Sequence, residues 1–144
     1  RVLPYTPAQV FDLVADVEKY PEFLPWCVAC RIKTRESATC FTADLAVGFK
    51  MVREKFTSRV TLSRPDAITV EYLDGPFAHL TNRWNFRPVS GGAVGTEVEF
   101  FLEFEFRSRL LQALIGVLFE EAVHRMVGAF EARAAAIYGH APTV

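Results

Sequence analysis

Few side chains in this sequence are of types and at spacings that could do chemistry. Cys27-Val28-Ala29-Cys30 has the spacing of a redox pair or of half a zinc site. A second pair is missing, and in an extended strand an offset of three sends the two sulfurs to opposite faces, so neither metal nor redox use is expected. His79 follows a Gly75-Pro76-Phe77 turn, His124 stands three and four residues from Glu121 and Glu120 as an ordinary surface group, and His140 falls in the terminal tail. No serine or cysteine has a base at a recognisable spacing, so no catalytic residue is assigned. A cyclase or hydrolase would need Glu54 or His79 as its general base. Gly91-Gly92-Ala93-Val94-Gly95 joins two strand-like runs and leads into no helix, which makes it a hairpin turn and not a phosphate cradle.

Three further polar residues are more informative. Strand phase puts Glu54, Ser58 and Asn82 on the same side as Phe56, Val60 and Trp84, where lone polar groups need hydrogen-bond partners. Two placements are open for Glu54. It sits at the polar end of an amphipathic cavity, or it lies near a bulge beside Gly48 and points at solvent next to Arg53 or Lys55.

The elements that must position these residues are legible from periodicity. From Ser108 to Tyr138, Leu111, Leu114, Ile115, Leu118, Ala122, Met126, Phe130, Ala134 and Ile137 recur at steps of three and four, which predicts one long helix. Ser108 caps it, Gly139 stops it, and at 1.5 Å per residue it runs roughly 46 Å. Its first half, Leu110 to Phe119, is apolar around the whole circumference apart from Gln112. That grease is covered by the helical pair and a neighbouring subunit, or it is an exposed patch that meets a membrane or lipid.

Upstream, Arg1 to Leu3 read as the tail of a strand. Thr6 caps a short helix with Pro7 at its first position and Val10, Phe11, Val14 and Val17 on its buried face, and a second helical turn falls at Glu18 to Leu24. From Trp26 the period is two. Turns are expected at Glu36-Ser37-Ala38, Val47-Gly48, Arg64-Pro65-Asp66, Asp74-Gly75-Pro76 and Ser90-Gly91-Gly92. In the last run Val98, Phe100, Leu102, Phe104 and Phe106 alternate with Glu97, Glu99, Phe101, Glu103 and Glu105, one side greasy and the other acidic. The architecture is α+β: an antiparallel sheet with its helices on one side, enclosing a space whose inward residues would sense a ligand.

The 144 residues suffice for one domain spanning the chain, with 51% hydrophobic residues, 23% charged residues and 13 Phe making a bulky aromatic core. A net charge of -1 provides no global field for a polyanion, so DNA is not a favoured partner. Three cysteines cannot all pair within the chain, which suits a reducing compartment, and no apolar run reaches the roughly 20 residues of a membrane span. The first residue is Arg1 and not Met, which leaves room for a removed leader.

Tyr20-Pro21-Glu22-Phe23-Leu24-Pro25-Trp26-Cys27, followed by Gly75-Pro76-Phe77 with Leu80, Trp84 and Phe86, resembles the coenzyme Q-binding START-domain family of the polyketide cyclase and START-like superfamily. The resemblance implies a helix-grip fold, with a seven-stranded antiparallel sheet around the C-terminal helix and two short helices between the first two strands. It implies non-enzymatic binding of a hydrophobic isoprenoid lipid, foremost ubiquinone, as a carrier supporting respiratory electron transport, with no cofactor. The alternative within the family is a toxin-like protein that interferes with ribosomal subunit joining. That role needs a local basic face, for which Arg31, Lys33, Arg35, Arg53, Lys55 and Arg59 at outward strand positions are the candidates. The expected setting is the cytoplasm, with transient contact at a membrane surface, or the matrix side of the inner mitochondrial membrane in a eukaryote. The ligand-lining candidates are Trp26, Glu54, Phe56, Tyr72, Trp84, Phe100, Phe104, Leu114, Leu118 and Met126, and Phe23, Leu24, Pro25, Pro76 and Phe77 would form the cavity mouth.

Overall fold

The computed structural model describes residues 2–49 and 52–139, so Arg1 and His140 lie outside the described residues. Strand β1 (Val2–Leu3) leads into helix α1 (Pro7–Ala15) and a 3-10 helix (Val17–Glu22). Strands β2 (Cys27–Ser37), β3 (Cys40–Phe49), β4 (Val52–Ser63), β5 (Ala67–Asp74), β6 (Phe77–Pro88) and β7 (Thr96–Phe106) follow, and helix α2 (Arg109–Tyr138) closes the order. The sheet has seven strands in the order β1-β7-β6-β5-β4-β3-β2. Every paired neighbour is antiparallel, so from β2 to β7 the chain is a meander of hairpins, and β1 joins at the β7 edge.

Both helices begin where side chains satisfy their free N–H groups. Thr6 Oγ1 accepts from the Gln9 amide at 3.2 Å while Gln9 Oε1 accepts from the Thr6 amide at 2.9 Å, a reciprocal cap completed by Pro7 in the first turn. Ser108 accepts from the Leu111 amide at 3.3 Å, and Gly139, at φ 79°, ends α2. The long helix is tied down at both ends. The Tyr138 hydroxyl donates to the Gln9 carbonyl at 2.8 Å and the Tyr5 hydroxyl to the Gly139 carbonyl at 2.9 Å, while Gln112 accepts from the Phe106 amide at 2.9 Å. Arg64, in the β4–β5 turn, forks onto Asp12 of α1 at 2.8 and 3.0 Å.

The inner core, led by Val10, Phe11, Phe41 and Phe86, lies where α1, the 3-10 helix and the C-terminal half of α2 meet the concave face of the sheet. Phe11 meets Phe86 edge-on at 5.9 Å, and Phe130 of α2 meets Tyr20, Phe23 and Trp84 at 5.6, 5.3 and 5.5 Å.

Three local expectations are corrected. Gly48 is not at a turn: β3 runs through it to Phe49, paired with Arg53. A Cβ there would lie 2.7 Å from Arg53 Nη1 and 3.1 Å from Val28 Cγ2, so the glycine admits a close approach within the strand. The two thiols do not face opposite ways. A register shift between Cys27 and Ala29 leaves Val28 exposed and sets Cys27 opposite Val47 and Cys30 opposite Leu45, both on the inner side. A second shift, between Ile32 and Thr34, puts Arg35 opposite Phe41, its guanidinium 5.4 Å from that ring, so Arg35 is not outward.

Candidate ligand-binding cavity

A cavity of about 260 Å³ lies between the concave face of the sheet, α2 and the 3-10 segment. Alternation in the strands supplies its walls: Ala43, Leu45 and Val47 from β3, Phe56, Ser58 and Val60 from β4, Ile68 and Val70 from β5, Leu80, Asn82 and Trp84 from β6, and Phe100, Leu102, Phe104 and Phe106 from β7. Helix α2 adds Ile115, Phe119, Ala122, Val123, Met126 and Phe130. Val14, Val17, Tyr20, Leu24, Trp26 and Cys30 close the end beneath α1.

Aromatic clusters bound it on two sides. Phe77 stacks on Phe106 at 4.7 Å and meets Phe56, Tyr72 and Phe104 at 5.3, 5.4 and 5.6 Å, and Phe104 reaches Phe119 of the helix at 5.4 Å. Trp84 packs against Phe100 at 4.6 Å and links that wall to Phe130.

Six of the ten lining candidates meet in this cavity: Trp26, Phe56, Trp84, Phe100, Phe104 and Met126. Glu54 shares the phase of Phe56 and Ser58 and is half-buried opposite Val47, yet it does not line the space. The pairing of β3 with β4 runs in unbroken register through Val47–Glu54 and Gly48–Arg53, so the bulge invoked to turn Glu54 outward is absent there. Tyr72 lies beyond the wall, where its hydroxyl accepts from the Phe77 amide at 3.0 Å. Leu114 is 39% exposed and Leu118 is off the wall, because the inward face of α2 is rotated onto Ile115 and Phe119. The all-round grease of Leu110 to Phe119 hid this phase, but stepping back seven residues from Ala122 and Met126 recovers it.

The proposed mouth divides in the same way. Leu24 and Phe77 are buried and form walls, Phe23 packs on Phe130, Pro25 is exposed, and Pro76 sits in the turn before β6. The outer side of α2's first half is not covered by the helical pair, which packs against its other half through Phe130 and Tyr138; Leu110 is 71% exposed. No helix among the described residues is long and apolar enough to cross a membrane.

The polar groups within are few and mostly engaged. The Tyr20 hydroxyl donates to the Val14 carbonyl, and burial pushes its phenol pKa up. Burial likewise pushes the Cys27 thiol up to about 11 and, with the charge of Cys27, Glu18 and Asp44 adding to it, the Cys30 thiol up to about 12. Thiols so shifted carry almost no thiolate at neutral pH and are poor nucleophiles and poor ligands for metals. Asn82 donates from Nδ2 to the Phe101 carbonyl at 3.0 Å, and Ser58 is 6% exposed. Two of the three histidines, His79 and His124, stand elsewhere among the described residues. His79 faces Glu103 and Glu105 at 3.5 and 3.8 Å on the outer sheet face, and His124 is exposed on α2, where Glu121 accepts from Arg125.

The convex face of the sheet is electrically uneven. Arg31 and Lys33 on β2 and Arg53, Lys55 and Arg59 on β4 gather at one end, partly balanced by Asp44, Glu36 and Glu71; Glu97, Glu99, Glu103 and Glu105 line β7 near the other.

An open antiparallel sheet gripping a long helix over an apolar chamber is the helix-grip architecture of START-like proteins. The chain belongs to the polyketide cyclase / dehydrase and lipid transport family, whose model matches residues 3–131. It is 40% identical over 138 residues to the ribosome association toxin RatA of Rickettsia prowazekii, covering 93% of this chain and 92% of that protein. It is 36% identical over 141 residues to the mitochondrial coenzyme Q-binding protein COQ10 homolog B of Xenopus laevis, covering 96% of this chain and 57% of that one. A START superfamily protein of Mycobacterium smegmatis superposes with a TM-score of 0.80 at 19% identity, over 95% of this chain and 94% of that one, which is a likeness of fold.

Proposed function

We propose that this protein associates with the ribosome and holds a hydrophobic ligand in its cavity without transforming it. The observation that carries the first half is similarity along nearly the whole length of a protein named for ribosome association. The basic end of the convex face supports it, since Arg31, Lys33, Arg53, Lys55 and Arg59 offer a local field for ribosomal RNA that the net charge of -1 does not advertise. A ubiquinone carrier stands first when the sequence alone is weighed; the relatives favour the reverse order. Overproduction in a bacterial host followed by sucrose-gradient profiling tests this reading. Free subunits rise at the expense of joined ribosomes, and the double variant Arg53→Glu, Lys55→Glu restores the profile; an unchanged profile with the unaltered protein contradicts it.

A polyprenyl quinone as the ligand is favoured by the chamber itself and by the coenzyme Q-binding relative. At about 260 Å³ the cavity is slightly under the ~300 Å³ at which ligand pockets usually begin, enough for a substituted ring and a short run of isoprenoid, with any longer tail outside. Trp26 and Trp84 in the wall report on entry, so a short-tailed ubiquinone analogue quenches their fluorescence saturably; strictly linear quenching counts against a quinone. Absence of turnover is supported by the wall's chemistry. The two candidate bases, Glu54 and His79, stand off the cavity, and the thiol that lines it is held protonated.

A further inference from the structure

Among the described residues, Ser58 is the one lining side chain whose placement is costly as it stands. It is 6% exposed in the middle of β4, opposite Ala43 on one side and Tyr72 on the other, and its hydroxyl reaches no hydrogen-bond partner among the described residues. An unsatisfied buried hydroxyl destabilises a fold, and alanine would fill the same volume without that penalty. The hydroxyl belongs to a wall that is otherwise nearly all hydrocarbon and aromatic ring. Asn82 stands two strands away on β6 and two residues further along, roughly 12 Å in all at ~4.8 Å per strand and ~3.4 Å per residue, with one amide hydrogen already given to the Phe101 carbonyl. Its remaining amide hydrogen and its oxygen are available to the same chamber.

We propose that Ser58 is the polar anchor of the cavity: the ligand is an apolar molecule carrying a hydroxyl or carbonyl oxygen, which hydrogen-bonds the Ser58 hydroxyl deep against the sheet, with Asn82 as a second contact. This deepens the cavity half of the function proposed above and rests on it. The oxygen is buried and the hydrocarbon extends toward α2, because Phe119, Met126 and Phe130 on the helix side provide no hydrogen-bonding group. A hydroxyl can donate or accept, so Ser58 accommodates alcohols and carbonyls alike but gives a pure hydrocarbon nothing.

Two sesquiterpenes that differ in one oxygen, farnesol and β-farnesene, make the test, each displacing a neutral fluorescent dye, N-phenyl-1-naphthylamine, from the purified protein. Ser58→Ala weakens farnesol about fivefold to tenfold, the size of one neutral hydrogen bond, and leaves β-farnesene within about twofold. The ligand-free variant unfolds thermally at the same temperature as the unaltered protein or higher, since the orphaned hydroxyl is gone. Equal changes for both molecules, no change for either, or a lower unfolding midpoint for the ligand-free variant would overturn the anchor while the cavity reading stands. Failure of both molecules to displace the dye from the unaltered protein overturns the cavity reading, and the anchor with it.

Discussion

Asp44 sits on the convex face beneath the hydroxyl of Thr57, which donates to its Oδ1 at 2.6 Å, with the Arg31 guanidinium 3.6 Å away. The Thr57 hydrogen bond foremost, against a smaller opposing effect of burial, and then Lys33 and Arg31, hold its carboxyl below the usual aspartate range. A carboxyl lowered by folding stabilises the protein above its unfolded pKa, near ~3.9, and that contribution is lost as pH falls through the folded value. Thr57→Val therefore raises the Asp44 midpoint in an NMR titration and narrows the acid range over which the fold survives; an unmoved midpoint contradicts the assignment. Phase alone brought Phe56, Trp84, Phe100 and Phe104 together, because strand alternation is rigid. It also put Ser58 and Asn82 on the inner side, but phase does not tell how far along a strand the chamber extends, so Glu54 and Tyr72 share the right side and miss the wall.

Elements are set by their interruptions as much as by their patterns. Gly75, between β5 and β6, adopts φ 147°, and a Cβ there would lie 2.6 Å from the Phe56 Cβ in the cavity wall. Gly75→Ala costs more than about 1 kcal/mol in urea unfolding, because both the backbone and the wall must shift; a loss below that would mean the turn relaxes freely. Helix α2 gives a second contrast. Phe119→Ala weakens dye binding in the cavity severalfold, whereas Leu114→Ser, on the outer side, leaves it unchanged; equal effects would mean the helix presents a different face. The bounds and caps of α2 were legible because Ser108 and Gly139 are strong local signals. Its rotation was not, since Leu110 to Phe119 is apolar on every side. The bulges of β2 were equally silent: they depend on β3 and on the path from the 3-10 helix, which no window of Cys27 to Arg35 contains.

The two faces of the sheet differ in kind. The concave side and α2 enclose a chamber with one orphaned hydroxyl among the described residues, and the convex side carries a basic end on β2 and β4 set against an acidic strand at β7. Overall charge hides this division, because positive and negative residues nearly cancel over the chain while remaining apart on the sheet. The fold was readable from element order and from the motifs around Tyr20 to Cys27 and Gly75 to Phe77, but the ranking of the two proposed functions was not, since relatives named for different partners match the same chain over nearly its whole length. On the reading proposed above, the chamber is a site for an oxygen-bearing apolar molecule. Organic-solvent extraction of the protein purified from its native cells, with mass spectrometry of the extract, decides whether it is. An apolar compound bearing a hydroxyl or carbonyl, present in near-stoichiometric amount and lost in a variant whose chamber is filled by Ala122→Phe, is the predicted result; an extract no richer than that of the filled variant would contradict it.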